Sequence, residues 1–342
     1  MQLDQWITTH TKNLLAANIA TARLDCLVLL EDITGKDRSW LLSHPEYELQ
    51  GSEIEKLSKK ITQRALHTPL AYIRGKAEFY GREFAVNAHT LVPRPETETM
   101  IELLKRVRNM EADVAAWQIE RRGRKPSQKH YPFEKLAPKS SLVKTDDGYK
   151  VVWQKLSRPS LHQPTAPVHG QSLKYHDEDL CIVDIGTGSG AIAITAKLEL
   201  PEVKVIATDI DSKCINVATA NAQKLGAEIT FLEGNLLQPL HSVSANSVIL
   251  LCNLPYVPDN FQINTAATHE PRHALYGGPD GLDLYRGLFD QARTLPIPPQ
   301  YILTEALPPQ HETLAAIAKA AGYSLETTDD FIQVFQSMYV QS

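Results

Sequence analysis

Residues 180–196 read LCIVDIGTGSGAIAITA, and this stretch decides the fold. Leu180 to Ile185 is an apolar run of strand length, Gly186-Thr187-Gly188-Ser189-Gly190 is a turn, and a helix starts near Ala191. Glycines let a chain turn tightly after a strand and let its backbone approach a ligand, with the N-terminus of the next helix alongside. A dinucleotide fingerprint needs G-x-G-x-x-G. Here the third glycine comes one residue early, so the spacing alone is a weak signal. The residues downstream strengthen it. Val203 to Ala207 reads as a second strand, Ser212 to Leu225 as a helix, Ile229 to Leu232 as a third strand and Ser247 to Cys252 as a fourth. Tyr301 to Thr304 is a fifth, Pro308 to Ala321 the helix after it, and Val334 with Phe335 a last strand. Strands alternating with helices predict an α/β domain, a doubly wound and mainly parallel sheet with helices on both faces.

Upstream, the period changes. From Leu3 to about Leu66 the apolar residues recur at helical spacing, with Leu14, Leu15, Leu24, Leu27, Val28, Leu30, Leu57, Ile61 and Ala65 marking the buried faces of a small bundle. Gly35 stops one helix, and Ser52 is the expected N-cap of another running from Glu53 to Leu66. Residues 76–92 place Phe79, Tyr80, Phe84 and Val86 around Gly81, which predicts a β-hairpin. Pro95 suits the first position of a helix carrying Ile101, Leu104 and Val107, and Glu96 and Glu98 complement its positive end. The chain thus divides into a helical domain at 1–75, a hairpin and linker helix at 76–108, an insertion at 109–178 and an α/β domain at 179–342.

At 342 residues and 43% hydrophobic composition the chain has room for about two domains with sizeable cores, which excludes a disordered or collagen-like protein. No stretch approaches the ~20 consecutive apolar residues of a membrane span. The start, MQLDQWITTH, lacks the apolar segment of a secretory signal and the arginines of a transit peptide, so a soluble cytoplasmic protein is expected. Cys26, Cys181, Cys214 and Cys252 are widely spaced, as expected for buried thiols in a reducing compartment, and no metal site is expected. The overall charge of −5 hides an asymmetry: residues 121–176 carry 12 Lys and Arg against 3 Asp and Glu, together with six prolines. That composition predicts a mobile, solvated insertion, with weak contact to RNA or the ribosome as the sharper alternative.

Two further signals carry chemistry. Asp209, at the end of the second strand, can accept the ribose hydroxyls of an adenosyl group, although Asp209 or Asp211 alone is more commonly a helix cap. Cys252-Asn253-Leu254-Pro255-Tyr256 comes directly after the fourth strand, where open α/β sheets place their ligand crevice. A primary amide or exocyclic amine is a poor nucleophile because its lone pair is delocalised. A site that accepts both of its hydrogens fixes the nitrogen toward an electrophile. The Asn253 side-chain oxygen and the Leu254 carbonyl can be those acceptors, with Pro255 holding the loop extended and the Tyr256 ring packing on a planar group.

These segments resemble the release-factor glutamine methyltransferase family. The resemblance runs through Ala22-Arg23-Leu24-Asp25, Pro69-Leu70-Ala71-Tyr72-Ile73, Glu78-Phe79-Tyr80-Gly81 and Leu91-Val92-Pro93-Arg94-Pro95-Glu96-Thr97-Glu98. It continues through Val183 to Ala193, Asn253-Leu254-Pro255-Tyr256, Glu270-Pro271 and Ala274-Leu275, covering nearly the whole chain outside the insertion. It implies a Rossmann-like class I methyltransferase domain behind an N-terminal substrate-recognition domain, acting as a monomer without metal. It implies S-adenosyl-L-methionine held by Gly186, Thr187, Gly188, Ser189, Gly190, Asp209, Asn235 and Leu236, with Asn253 near the methyl. It further implies Asn253, Pro255 and Tyr256 as catalytic residues. With Leu254, these bind the glutamine of the GGQ motif in a class-1 peptide chain release factor. The family usually has N-P-P-Y, so Leu254 is expected to loosen the loop, and Asn235 stands where an Asp is common. Asp329-Asp330-Phe331 lacks an Arg often found there. Two alternatives remain open: an adenine N6-type methyltransferase of DNA or RNA, and a non-catalytic cofactor-binding assembly factor.

Overall fold

The computed structural model describes residues 1–108, 140–145, 148–153, 180–243 and 245–338. Helices α1 (Leu3–Ala16), α2 (Ala22–Thr34), α3 (Arg38–Ser43), α4 (Gly51–Ala65) and α5 (Leu70–Arg74) open the chain and bury Trp6, Leu14, Leu27, Leu30, Leu57 and Ile61 in a core of their own. Leu15 and Leu24, expected on the buried faces, are 54% and 47% exposed. Successive helical residues point ~100° apart, so Leu14 and Leu15 cannot share one face. Gly35 ends α2 in the left-handed conformation, as expected. Ser52 is not the cap of α4. That helix starts at Gly51, and the Glu53 carboxylate accepts the Gln50 backbone N–H at 2.9 Å, so Ser52 lies inside the first turn. Asp25 of the matching segment pairs with Arg64 at 2.6 Å and ties α2 to α4.

Strands β1 (Lys76–Phe79) and β2 (Arg82–Ala85) form the expected hairpin, turning through Tyr80 and Gly81 at φ 52° and 69°. Two positive φ values in a two-residue loop match the right-handed twist of the strands. A 3₁₀ turn at Pro95–Thr97 leads into α6, at 98–108. Strands β3 (Ser140–Thr145) and β4 (Gly148–Trp153) pair as an antiparallel hairpin in a unit of their own, spanning Asn109–Tyr175, where no regular element was expected. The rest of the insertion, expected to be mobile, lies outside the described residues.

The second half runs β5 (Leu180–Ile185), α7 (Ala191–Glu199), β6 (Lys204–Asp209), α8 (Ser212–Leu225), β7 (Thr230–Glu233), β8 (Ser247–Cys252) and α9 (Arg272–Leu275). It ends with α10 (Asp283–Ala292), β9 (Tyr301–Glu305), α11 (His311–Ala320), β10 (Tyr323–Asp329) and β11 (Ile332–Ser337). The sheet order is β7-β6-β5-β8-β9-β11-β10, parallel from β7 to β9, with β11 antiparallel to both of its neighbours. Ile182, Ala207, Leu251 and Leu303 point to the face covered by α6, α7 and the β1–β2 hairpin, whereas Val183, Ile206, Leu250 and Ile302 meet α10 and α11. Two covered faces explain why the central strands read as continuous apolar runs. From β5 the chain winds first toward β7 and then back through β8. The switch point, and with it the ligand crevice, therefore lies at the carboxyl ends of β5 and β8.

Candidate active site

The turn after β5 holds Gly186, Gly188 and Gly190 at φ 73°, 55° and 82°. The Gly186 and Thr187 N–H groups both donate to the Thr208 carbonyl at 2.9 Å, which folds the turn against β6. A Cβ on Gly190 would meet Ile194 Cδ1 at 2.9 Å and Ala218 Cβ at 3.1 Å, so this glycine permits the close approach of α7 and α8. Gly186 is exposed at the crevice, and a Cβ there would reach Leu254 Cδ2 at 3.2 Å. Thr187 and Ser189 are buried beneath the turn. Asp184 is fully buried. Its Oδ2 accepts the Thr187 hydroxyl at 2.6 Å and the Ala193 N–H at 3.1 Å, while Oδ1 has no partner among the described residues. Burial pushes its carboxyl up to about 7, against the pull of those two donors.

Asp209 ends β6 beside this turn. Its Oδ2 accepts the Gly188 N–H and its Oδ1 the Asp211 N–H, each at 2.9 Å, and burial raises its pKa despite both bonds. The helix-capping role falls to Asp211, which accepts the Lys213 N–H at 2.8 Å. The Gly234 N–H donates to the Asp209 carbonyl at 2.9 Å and draws the turn after β7 alongside. Asn235 is exposed in that turn, and Leu236 sits at φ 52° with its carbonyl accepting the Thr208 hydroxyl at 3.4 Å.

Across the switch point, Asn253 comes directly after β8. Its Nδ2 donates to Thr97 Oγ1 at 3.0 Å, and its Oδ1 has no partner among the described residues. The Leu254 carbonyl is likewise unpaired there, while the Leu254 N–H donates to the Tyr285 hydroxyl at 3.3 Å. Tyr285, fully buried on α10, also reaches the carbonyls of Cys252 and Glu305. It thus supplies a restraint that the loop lacks for want of a second proline. Tyr256 donates its hydroxyl to Glu305 Oε1 at 2.9 Å, and its carbonyl accepts from Gln310 Nε2 at 2.8 Å. Asn253, Leu254, Pro255 and Tyr256 line a pocket together with Arg94 and Glu305.

The segment before α6 closes this pocket. Arg94 pairs with Glu270, whose other oxygen accepts the Val92 N–H at 3.0 Å. Glu98 accepts the Tyr80 N–H at 2.7 Å. Asn221 of α8 bonds both backbone groups of Ala85 at 2.8 and 2.9 Å and the Ser189 carbonyl at 2.8 Å, locking the hairpin to the glycine turn. Sequence reading missed Asn221, Tyr285, Glu305 and Gln310. Only Glu305 carried a signal: it is an acid at the carboxyl end of an apolar strand, facing the crevice. Among the described residues no cluster of three or more His, Cys, Asp or Glu is arranged to hold a metal, and no helix is long and apolar enough to cross a membrane.

Residues 171–271 match the family described as the methyltransferase small domain, and residues 5–75 match the PrmC N-terminal domain. With its strand order, the protein is a Rossmann-like, S-adenosylmethionine-dependent methyltransferase. It is 32% identical over 264 residues to the release factor glutamine methyltransferase of Bacillus subtilis (strain 168), covering 76% of this chain and 69% of that one. The enzyme of the same name from Moorella thermoacetica is 30% identical over 326 residues, covering 94% and 91%. That from Deinococcus radiodurans is 28% identical over 332 residues, covering 96% and 95%. The chain belongs to the release factor glutamine methyltransferase family.

Proposed function

We propose that the protein transfers a methyl group from S-adenosylmethionine to the side-chain amide nitrogen of the glutamine in the GGQ motif of a class-1 peptide chain release factor. The observation that carries this reading is the pair of acceptors without a partner among the described residues, Asn253 Oδ1 and the Leu254 carbonyl, at the carboxyl end of β8. A primary amide brings two hydrogens on one planar nitrogen, and two fixed acceptors hold that plane so that the nitrogen faces the glycine turn. The Tyr256 ring, tethered through its hydroxyl to Glu305, packs on the same plane. The glycine turn and Asp209 suit the cofactor: Gly186 leaves room that a side chain would fill, and each Asp209 oxygen retains a lone pair for a ribose hydroxyl. Asn235 and Leu236 border the same end of the crevice. Bound S-adenosylmethionine supplies an electrophilic methyl on a cationic sulfur. As the amide nitrogen bonds the methyl carbon, the carbon–sulfur pair goes to sulfur and the nitrogen releases one proton to solvent.

The test is transfer of labelled methyl from S-adenosylmethionine to purified release factor, with a GGQ-to-GGA release factor, duplex DNA and unstructured RNA as parallel acceptors. The reading expects label on the GGQ protein alone. Asn253→Ala should lower turnover by about ten- to a hundredfold, the cost of one unpaired amide hydrogen in a closed site, with cofactor affinity nearly unchanged. Label on nucleic acid, or an Ala variant with normal turnover, would overturn it.

A further inference from the structure

The main chain of Tyr256 is held as firmly as its ring. Its carbonyl accepts from Gln310 Nε2 at 2.8 Å, and the same nitrogen gives its second hydrogen to the Asp280 carbonyl at 2.7 Å. Gln310 Oε1 accepts the Leu307 N–H at 2.9 Å. Carbonyls only accept and a backbone N–H only donates, so these three partners admit one orientation of the Gln310 amide and use both of its hydrogens. Gln310 is buried, at the end of the 3₁₀ turn Pro308–Gln310 that follows β9, and two prolines stiffen that turn. On the other side of the Tyr256 carbonyl, Gly281 sits at φ 81°, and a Cβ there would run into that oxygen. A Cβ on Gly277 would run into the Pro255 carbonyl oxygen. The Val257 N–H donates to the Leu275 carbonyl at 2.9 Å and the Gly277 N–H to the Val257 carbonyl at 3.0 Å, so 255–257 lies backbone to backbone on 275–281. Asp280 is tied to α10 in turn, because its carboxylate takes two Arg286 nitrogens at 2.9 and 2.5 Å.

We infer that Gln310 is a positioning residue for methyl transfer: by clamping the Tyr256 carbonyl to the Asp280–Gly281 turn, it holds the Leu254 carbonyl and the Tyr256 ring in place for the substrate amide. The inference rests on the Leu254 carbonyl as a substrate acceptor. That carbonyl stands between two anchors, the Leu254 N–H on the Tyr285 hydroxyl and the Tyr256 carbonyl on Gln310. Pro255 fixes one torsion between them, and Leu254, unlike a proline, leaves its own φ free. Swinging the Leu254 carbonyl away from the pocket therefore strains the bond to Gln310. Tyr256 is gripped at both ends by one short segment, its hydroxyl by Glu305 and its carbonyl by Gln310. Gln310 touches no reacting atom and acts through Tyr256. None of its three partners belongs to the glycine turn or to β6, so cofactor binding does not depend on it. The clamp requires a nitrogen that brings two hydrogens to two carbonyls. A carboxylate of the same length would set lone pairs against both.

The experiment compares full-length wild type, Gln310→Met and Gln310→Glu, each checked by thermal melting and by calorimetric titration with S-adenosylmethionine. Gln310→Met keeps the length of the side chain and loses both donors. It should lower kcat on purified release factor by about tenfold or more, with cofactor Kd within about twofold. Gln310→Glu should be at least as slow at pH 8, where the introduced carboxyl is ionised. Burial beside two carbonyls raises that carboxyl toward neutrality, and once protonated it donates one hydrogen to a carbonyl. The ratio of variant to wild-type kcat should therefore rise by about threefold or more from pH 8 to pH 6. His311, the Asp280–Arg286 pair and Glu305 across Tyr256 are present in both proteins, and their titration cancels in the ratio. A residue that only fills space gives no such rise. The carbonyl-carbon resonance of Tyr256 reads the clamp without release factor: it should shift in Gln310→Met and titrate in Gln310→Glu. A Gln310→Met kcat within about twofold of wild type, or a Gln310→Glu ratio flat with pH, would overturn the inference. If Gln310→Met melts below the assay temperature, the Gln310→Glu ratio decides. A wild type that leaves release factor unlabelled overturns the proposed substrate instead, and a Tyr256 resonance indifferent to both substitutions then overturns the clamp.

Discussion

Asp184→Asn should make the stability of the protein less dependent on pH, by an amount the structure sets. The Asp184 carboxyl is raised from 3.8 to about 7 by complete burial. The folded state therefore holds this proton more tightly than the unfolded chain. The corresponding stability is fully present below pH ~4 and is lost as pH rises through ~7. Three units at ~1.4 kcal/mol each make the full effect about 4 kcal/mol, of which roughly 3 falls between pH 5 and 8. In the variant, the amide oxygen takes the place of Oδ2 and still accepts from Thr187 and Ala193. The amide nitrogen falls where Oδ1 has no partner, at a cost of about 1–3 kcal/mol that does not vary with pH. Glu305, also raised, and Asp280, held down to about 2 by Arg286, titrate alike in both proteins and cancel in the difference. Urea unfolding of both proteins from pH 5 to 8 measures the effect. The variant should be the less stable at pH 5, and the gap should close by roughly 3 kcal/mol by pH 8. Parallel stability curves would refute the assignment of a protonated, buried Asp184.

Three other outcomes rest on single contacts. Asp209→Ala removes the acceptor of the Gly188 N–H together with the proposed ribose acceptor, and should raise the S-adenosylmethionine Kd on the order of ten- to a hundredfold by calorimetry. An unchanged Kd would show that the ribose is held elsewhere. Gly190→Ala places a Cβ 2.9 Å from Ile194 Cδ1 at φ 82°, and should lower the unfolding free energy by about 1–3 kcal/mol; a thermal melting point equal to wild type would contradict it. Arg94→Ala leaves the buried Glu270 carboxylate with only the Val92 N–H, and should cost about 1–3 kcal/mol because Arg94 itself is 37% exposed and water replaces part of its contact. Chemical denaturation at an unchanged midpoint would argue against that pair.

The parallel part of the sheet was legible because its strands are apolar on both faces and bounded by turn signals. Ser247–Cys252 and Ser212–Leu225 fall where the sequence placed them. β10 was not legible. It is an edge strand, mostly exposed after Tyr323, and its Leu325-Glu326-Thr327-Thr328-Asp329 run shows neither an apolar stretch nor clean alternation. The amphipathic α10 escaped for a different reason. Its buried residues, Tyr285, Leu288, Phe289 and Ala292, fill one stripe, and the intervening Asp283, Arg286, Asp290 and Gln291 gave the segment a loop-like polarity. Of the site, the glycine turn and the Asn253 loop were readable because backbone demands at strand ends show in local sequence. Asn221, Tyr285 and Gln310 were not, because each acts on a backbone group brought to it only by folding.

That difference also shows in how far apart in the sequence the halves of the site lie. Thr97 meets Asn253 across 156 residues of sequence, and Arg94 meets Glu270 across 176, so the two most informative motifs are halves of one pocket. The helix that starts beside that pocket, α6, covers 98–108 and carries the chain about 15 Å along its axis before the insertion begins. The chain re-enters near Leu180, at the amino end of β5, and needs six residues, or about 20 Å of strand, to return to the crevice at Gly186. A break at Arg94–Thr97 or at Asn253–Tyr256 would separate the residues that the pocket brings together.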